Sequence, residues 1–211
     1  MKGYFISVEG GDGSGKSTQI KKIEAYLQEK GLEYILTREP GGTPMAEELR
    51  KIVKSSCSGE IVHPETELLL MEAARSQHMR ELILPALAAG KVVICDRFTD
   101  STTAYQGGAR GISGETVKCF NLFAAAGRLP DLTFLMDITP ECGFKRIRNR
   151  FQDDGAFDRF EAENLEFHHR VRNAFLAIAA AEPERVRVID ADRPRECVQK
   201  EIEDLANEFV R

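Results

Sequence analysis

The sequence predicts an α/β fold, a five-stranded parallel sheet with helices on both faces, and three observations predict it. Short apolar runs without polar alternation recur along the chain, as expected of strands covered on both faces. A segment with helical spacing lies between each run and the next, which makes βαβ units. The first run leads straight into Gly10-Gly11-Asp12-Gly13-Ser14-Gly15-Lys16-Ser17, a glycine-rich stretch set between a strand and a helix.

The elements follow in order. Tyr4–Val8 reads as a buried strand, and Ser17–Lys30 as a helix with Ile20, Ile23 and Leu27 on one face and Gly31 as its stop. Glu33–Thr37 is a second strand. Pro44–Lys54 and Pro64–Leu84 are helices that open on proline, which the first turn tolerates. Lys91–Cys95 is the third strand. Ser113–Ala126 is a helix with Ser113 as cap and Gly127 as stop. Leu132–Met136 is the fourth strand, Pro140–Arg146 begins a helix after Thr139, and Phe160–Ala181 is long and amphipathic. Val186–Ile189 is the fifth strand, and Pro194–Val210 closes the chain as a helix. Arg148–Asp158, the least regular stretch, is a candidate mobile loop. In open α/β sheets ligands bind beyond the carboxyl ends of the strands, so the chemistry belongs just after Val8, Thr37, Cys95, Met136 and Ile189.

Composition narrows the function. A chain of 211 residues suits one domain, and a net charge of −5 gives no basis for nucleic-acid or anionic-membrane binding. No run approaches the ~18–20 apolar residues of a membrane span, and the Tyr4–Val8 run is too short for a signal peptide. Five widely spaced cysteines without a CxxC argue against a disulfide framework or zinc site and suit a reducing cytoplasm. His168 and His169 are adjacent, point apart on a helix, and read as surface residues.

The stretch after the first strand matches GxxxxGK[ST], the P-loop. Its glycines let successive backbone N–H groups turn inward on an anion, and the next helix presents its positive end to the same phosphates. Gly10, Gly11, Asp12, Gly13, Ser14, Gly15, Lys16, Ser17 and Thr18 are therefore candidate ATP-binding residues. Lys16 is placed on the β- and γ-phosphates and Ser17 on Mg²⁺. The motif alone fits a kinase, a switch or a motor. The Asn-Lys-x-Asp expected of a small GTPase is absent. Arg38, in Thr37-Arg38-Glu39-Pro40-Gly41-Gly42-Thr43, and Arg97, in Asp96-Arg97-Phe98, stand at the ends of the second and third strands. A guanidinium binds phosphate oxygens bidentately, so both are candidates for a second, acceptor phosphate.

With these motifs, and with Ser101-Thr102-Thr103-Ala104-Tyr105-Gln106-Gly107-Gly108 and Asp158-Arg159, the chain resembles the thymidylate kinase family from about Phe5 to Asp190. The resemblance implies a P-loop kinase fold as one domain over 1–211, with a lid at about 146–159. It implies transfer of the γ-phosphoryl of ATP, with Mg²⁺, to thymidine monophosphate on the way to dTTP, and a homodimer. It places Asp12 on the sugar 3′-hydroxyl, Arg38 and Arg97 on the acceptor phosphate, Asp96 near the Mg²⁺ shell, and Arg75 on the thymine edge. Thr102, Tyr105 and Gln106 contact base and sugar, with Tyr105 crowding the 2′ position; Glu161 is a weaker match. Where the family has a phenylalanine stacked on thymine, this chain has Met71, which either faces the base or packs in the core among leucines. Some members place an arginine within the P-loop; here that position is Gly13. The basic group Lys145, Arg146, Arg148 and Arg150 must then supply the charge, with Arg148 and Arg150 as catalytic candidates beside Lys16, Asp96 and Arg97. Two rivals remain open: a kinase acting on a nucleoside, and a nucleotide-dependent binding switch.

Overall fold

The computed structural model describes residues 3–55, 60–150 and 158–209, without the side chains of 149, 150 and 206–209. The sheet has five strands: β1 (Tyr4–Glu9), β2 (Tyr34–Arg38), β3 (Val92–Asp96), β4 (Leu132–Asp137) and β5 (Val186–Asp190). All pairings are parallel and the order is β2-β3-β1-β4-β5. β1 is central, and Phe5, Ile6 and Val8 are fully buried, which is why the run reads apolar without alternation. Ser7 is the exception. Its hydroxyl meets that of its register partner Thr133 at 2.7 Å, so neither buried oxygen lacks a partner. The connection leaving β1 passes to the β2 side and the one leaving β4 to the β5 side. The crevice between them, at the carboxyl end of β1, is thus the switch point of the sheet.

Each strand ends one residue later than the apolar runs predict, on Glu9, Arg38, Asp96, Asp137 and Asp190. These charged residues stay in the ladder, with Val8 and Arg38 both opposite Asp96. Arg38, Asp96, Asp137 and Asp190 form the polar lip where the sheet meets solvent, and Glu9 is buried beneath it.

The helices are α1 (Lys16–Glu29), α2 (Pro44–Lys54), α3 (Pro64–His78), α4 (Leu84–Ala88), α5 (Thr99–Thr102), α6 (Gly114–Ala124), α7 (Pro140–Arg150), α8 (Leu165–Ala181) and α9 (Arg195–Phe209). The expected helix Pro64–Leu84 is instead α3, a π-helical turn over Met79–Ile83, and α4. The widened turn comes just before Pro85, which has no N–H to give and crowds the preceding turn. The expected start of α8 at Phe160 moves to Leu165, where the Asn164 side chain accepts from the Phe167 N–H at 2.8 Å. Ahead of it Asp158 holds a separate turn by accepting from the N–H groups of Phe160 and Glu161. Thr99–Ala109, not anticipated as helical, is α5 running into a π-helical turn over Thr103–Ala109. It packs against α8, and a Cβ at Gly108 would lie 2.5 Å from that of Ala174, so glycine sets how close the two helices come. His168 corrects a second expectation. It is buried, edge-on to Phe144 at 4.8 Å, while His169 is partly exposed, paired with Glu141 at 2.8 Å. Of the stretch taken as a mobile loop, residues 151–157 lie outside those described.

Candidate active site

β1 delivers the P-loop to the switch point. Gly10 has φ 136°, and a Cβ there would sit 2.4 Å from the Met136 carbonyl. Gly13 has φ 76°, and a Cβ there would sit 2.3 Å from the Gly143 carbonyl of α7. Gly15 precedes α1 without a side-chain cap, which leaves the N–H groups of the first turn turned toward the loop. Lys16 is buried, and its Nζ donates to the carbonyls of Gly10 and Gly11 at 3.0 Å each. Burial, then Arg97, lowers its pKa to about 8. No carboxylate among the described residues pairs with it within 4 Å. Such a cation, at the start of a helix whose first turn has no side-chain cap, favours a polyanion. Ser17 is exposed in the first turn of α1. Asp96 has a buried Oδ1 with no hydrogen-bond partner among the described residues, an oxygen that suits a hydrated divalent cation.

Across from the loop lies an open cleft. One end is basic. Arg97 has φ 71°; its Nη1 donates to the Gly10 carbonyl at 3.0 Å and its Nη2 to Asp12 at 2.7 Å. Burial disfavours the Arg97 charge, but Tyr105, Asp12, Asp96 and Glu9 outweigh it and raise its pKa. Burial likewise opposes the Asp12 carboxylate, yet Arg97 and Lys16 hold its pKa below the ordinary value. Arg38 donates to Glu47 at 3.0 Å and is half exposed. Arg50 donates to the Pro40 carbonyl at 2.8 Å, and burial together with Arg38 lowers its pKa. Three guanidinium groups converge at this end, and Arg50 is held by a carbonyl rather than a carboxylate, which suits an anion.

The other end is apolar, walled by Met71, Tyr105 and Phe160, the two rings edge-on at 5.9 Å. Tyr105 Oη is 3.4 Å from Asp12 and its ring lies 5.2 Å under the Arg97 guanidinium. At the floor Arg75 is 2% exposed. Its Nε donates to Glu39 at 2.7 Å, its Nη1 to Glu72 at 2.6 Å and Asn121 at 2.7 Å, and its Nη2 to Thr102 at 2.9 Å. A guanidinium has five N–H groups; four are taken here, and one on Nη2 remains. Gln106 gives its amide N–H to the fully buried Glu67 at 2.7 Å, and Arg159, from the turn before α8, reaches the same carboxylate.

The chain is similar to known proteins over nearly its whole length. A family model described as thymidylate kinase matches residues 8–202. A thymidylate kinase of Protochlamydia amoebophila is 46% identical over 213 residues, covering 99% of this chain and 95% of the relative. One of Pseudomonas fluorescens (strain SBW25) is 49% identical over 205 residues, covering 97% and 95%. The crystal structure of thymidylate kinase from Ehrlichia chaffeensis matches at a TM-score of 0.76 and 34% identity, over 97% of this chain and 99% of that one. The chain belongs to the thymidylate kinase family.

Measured against the family pattern, the cleft gathers Asp12, Arg38, Met71, Arg75, Asp96, Arg97, Thr102, Tyr105 and Gln106. Lys16 and Ser17 lie along the P-loop beside it. Met71 is half buried; it borders the cleft and also touches the Tyr105–Phe160–Phe167 cluster of the core. Of the basic group, Arg146 is committed elsewhere, to the Ala191 carbonyl and Asp192 at 3.0 Å each. Arg148 is exposed on α7, and the side chain of Arg150 lies outside the described residues. The sequence reading missed Arg50, Glu39, Asn121 and Phe160. Arg50 carried a usable signal, since Glu47, Arg50 and Lys54 fall at i, i+3 and i+7 on α2, a polar stripe facing the cleft.

Proposed function

We infer that the chain transfers the γ-phosphoryl of ATP to thymidine monophosphate bound in the cleft, giving thymidine diphosphate and ADP. Membership of the thymidylate kinase family supplies the activity. The observation that carries the acceptor is the last free N–H of Arg75. A single fixed donor on the floor of an apolar slot fits one carbonyl on the edge of a flat base, as thymine offers at C4. It repels the amino group that cytosine has there. Arg38, Arg50 and Arg97 hold the acceptor phosphate at the basic end, with Asp12 on the 3′-hydroxyl and Tyr105 against the 2′ position.

The acceptor is a phosphate monoester with a second pKa near ~6, so it is already a nucleophilic dianion at neutral pH and no general base is required. The obstacle is bringing two polyanions together. Lys16 and Arg97 offset that repulsion, and Arg148 and Arg150 bring further charge from α7. Mg²⁺, when bound with ATP, would be held by Ser17 and Asp96 and would neutralise charge on the phosphate oxygens. The chain acts as one domain in the cytoplasm and as a homodimer. Phe123 (73% exposed) on α6 and Leu69 (53%) on α3 support the dimer. Among the described residues, no helix is long and apolar enough to cross a membrane.

The decisive assay presents thymidine, thymidine monophosphate and the deoxycytidine, deoxyguanosine and deoxyadenosine monophosphates separately with Mg-ATP. Turnover concentrated on thymidine monophosphate is expected. Turnover of thymidine instead, or ATP hydrolysis independent of any acceptor, sinks the reading.

A further inference from the structure

Arg97 occupies a backbone conformation that non-glycine residues rarely adopt, with φ 71°. Something must hold it there, and β1 does so from both sides. The Arg97 N–H donates to the Val8 carbonyl at 3.0 Å. The next N–H, of Phe98, donates to Glu9 Oε1 at 2.7 Å. Glu9 is the last residue of β1 and is fully buried. Its other oxygen, Oε2, accepts the Ser101 hydroxyl at 2.6 Å. Because that hydroxyl spends its hydrogen on Glu9, the oxygen is left facing Arg97 Nη1 as an acceptor at 3.2 Å. One carboxylate therefore fixes both the backbone turn that carries Arg97 and the polarity of a hydroxyl that aims its guanidinium.

We propose that Glu9 is a positioning residue for the acceptor-phosphate clamp: through the Phe98 N–H and the Ser101 hydroxyl it sets where the Arg97 fork points. The inference rests on the reading of Arg97 as a phosphate ligand. A carboxylate is required because two donors need two acceptors. Glutamine supplies only one oxygen; its amide N–H faces Ser101, reverses that hydroxyl, and turns a hydrogen against the guanidinium. Glu9 itself has no route to the substrate, being sealed under the turn it holds. The ionisable groups acting on it are Asp100, Arg97 and, beyond them, Lys16 and Tyr105. Burial, and next Asp100, push its carboxyl up to about 8, against the pull of Ser101, Arg97 and Phe98. The test is run on the alkaline side of neutrality, which favours the ionised form.

The experiment is calorimetric binding of thymidine monophosphate and of thymidine, without ATP, to the wild type, Glu9→Gln, Arg97→Ala and the double variant. The ratio of the two affinities isolates the phosphate. Arg97→Ala should lower that ratio about 10–100-fold, the loss of charged hydrogen bonds. Glu9→Gln should lower it about fivefold or more with thymidine binding unchanged within about twofold, and should add nothing in the Arg97→Ala background. Ser101→Ala, which leaves the core carboxylate intact, should shift the ratio in the same direction and serves if Glu9→Gln does not fold. Equal weakening of both ligands by these variants marks a merely structural role and overturns the proposal, as does a full extra loss in the double variant. If Arg97→Ala leaves the ratio unchanged, the assignment of Arg97 falls first and this inference with it.

Discussion

Replacing Arg75 with lysine keeps a cation between Glu39 and Glu72 but changes the count of donors. The guanidinium meets four protein acceptors, namely Glu39, Glu72, Asn121 and Thr102, with one N–H to spare. An ammonium has three N–H groups for the same four acceptors, so none is left for a ligand. A hydrogen bond from a charged group contributes about 1.5–3 kcal/mol, so KM for thymidine monophosphate should rise roughly 10–100-fold. The base edge is contacted equally in ground and transition states, so kcat should change little. One protein acceptor also goes unmet, at a cost of about 1–3 kcal/mol. For a chain of this size that lowers Tm by roughly 2–12 °C. A coupled assay of ADP formation against thymidine and deoxycytidine monophosphates, with a melting curve on the same preparation, reads both effects. A lowered Tm with KM for thymidine monophosphate unchanged would show that Arg75 is a strut between carboxylates and reads no base.

Three other outcomes are expected. Met71→Phe should lower KM for thymidine monophosphate roughly 2–10-fold if the side chain faces the base, by analogy with aromatic pairing of about 0.5–1.5 kcal/mol. If its contact with the Tyr105 cluster matters more, the variant should instead lose about 1–3 kcal/mol of stability with KM unmoved. Lys16 is charged in the free enzyme only below its lowered pKa of about 8, so kcat/KM for ATP should fall as pH rises past that value, toward tenfold per unit. Arg at position 16 should abolish that basic limb; an unchanged limb in Lys16→Arg assigns the titration to another group. Phe123→Asp should convert a dimer to monomers by sedimentation velocity, and an unchanged sedimentation coefficient places the interface on another face.

The central strands β1, β3 and β4 were legible because burial on both faces leaves little that is polar to blur the run. Their ends were not, since Glu9, Arg38, Asp96, Asp137 and Asp190 look like loop residues until the lip of the cleft is seen. Thr99–Ala109 hid as a helix because Thr99, Thr102 and Thr103 are β-branched, Gly107 and Gly108 follow, and a π-helical turn obeys no 3.6-residue period. His168 looked exposed because only one half of its surroundings, α8, is near in sequence; Phe144 comes from another helix. The P-loop and both strand-end arginines were readable from local chemistry. The residues that hold those groups in place, Glu39, Asn121 and Glu9, were not, because each acts on a side chain 36, 46 and 88 positions away respectively, a relation that only folding creates.

The backbones of Gly13 and Gly143 touch, and a Cβ on either would collide with the other segment: 2.3 Å from the Gly143 carbonyl in one case, 2.5 Å from the Asp12 carbonyl in the other. α7 is thus pressed onto the phosphate loop at the very residue where some family members carry an arginine. The two ways of delivering positive charge compete for the same space. A side chain at position 13 can exist only where α7 stands back, and α7 can bring its own arginines this near only above a bare loop. Grafting the loop arginine into this chain would therefore fail unless α7 were moved with it.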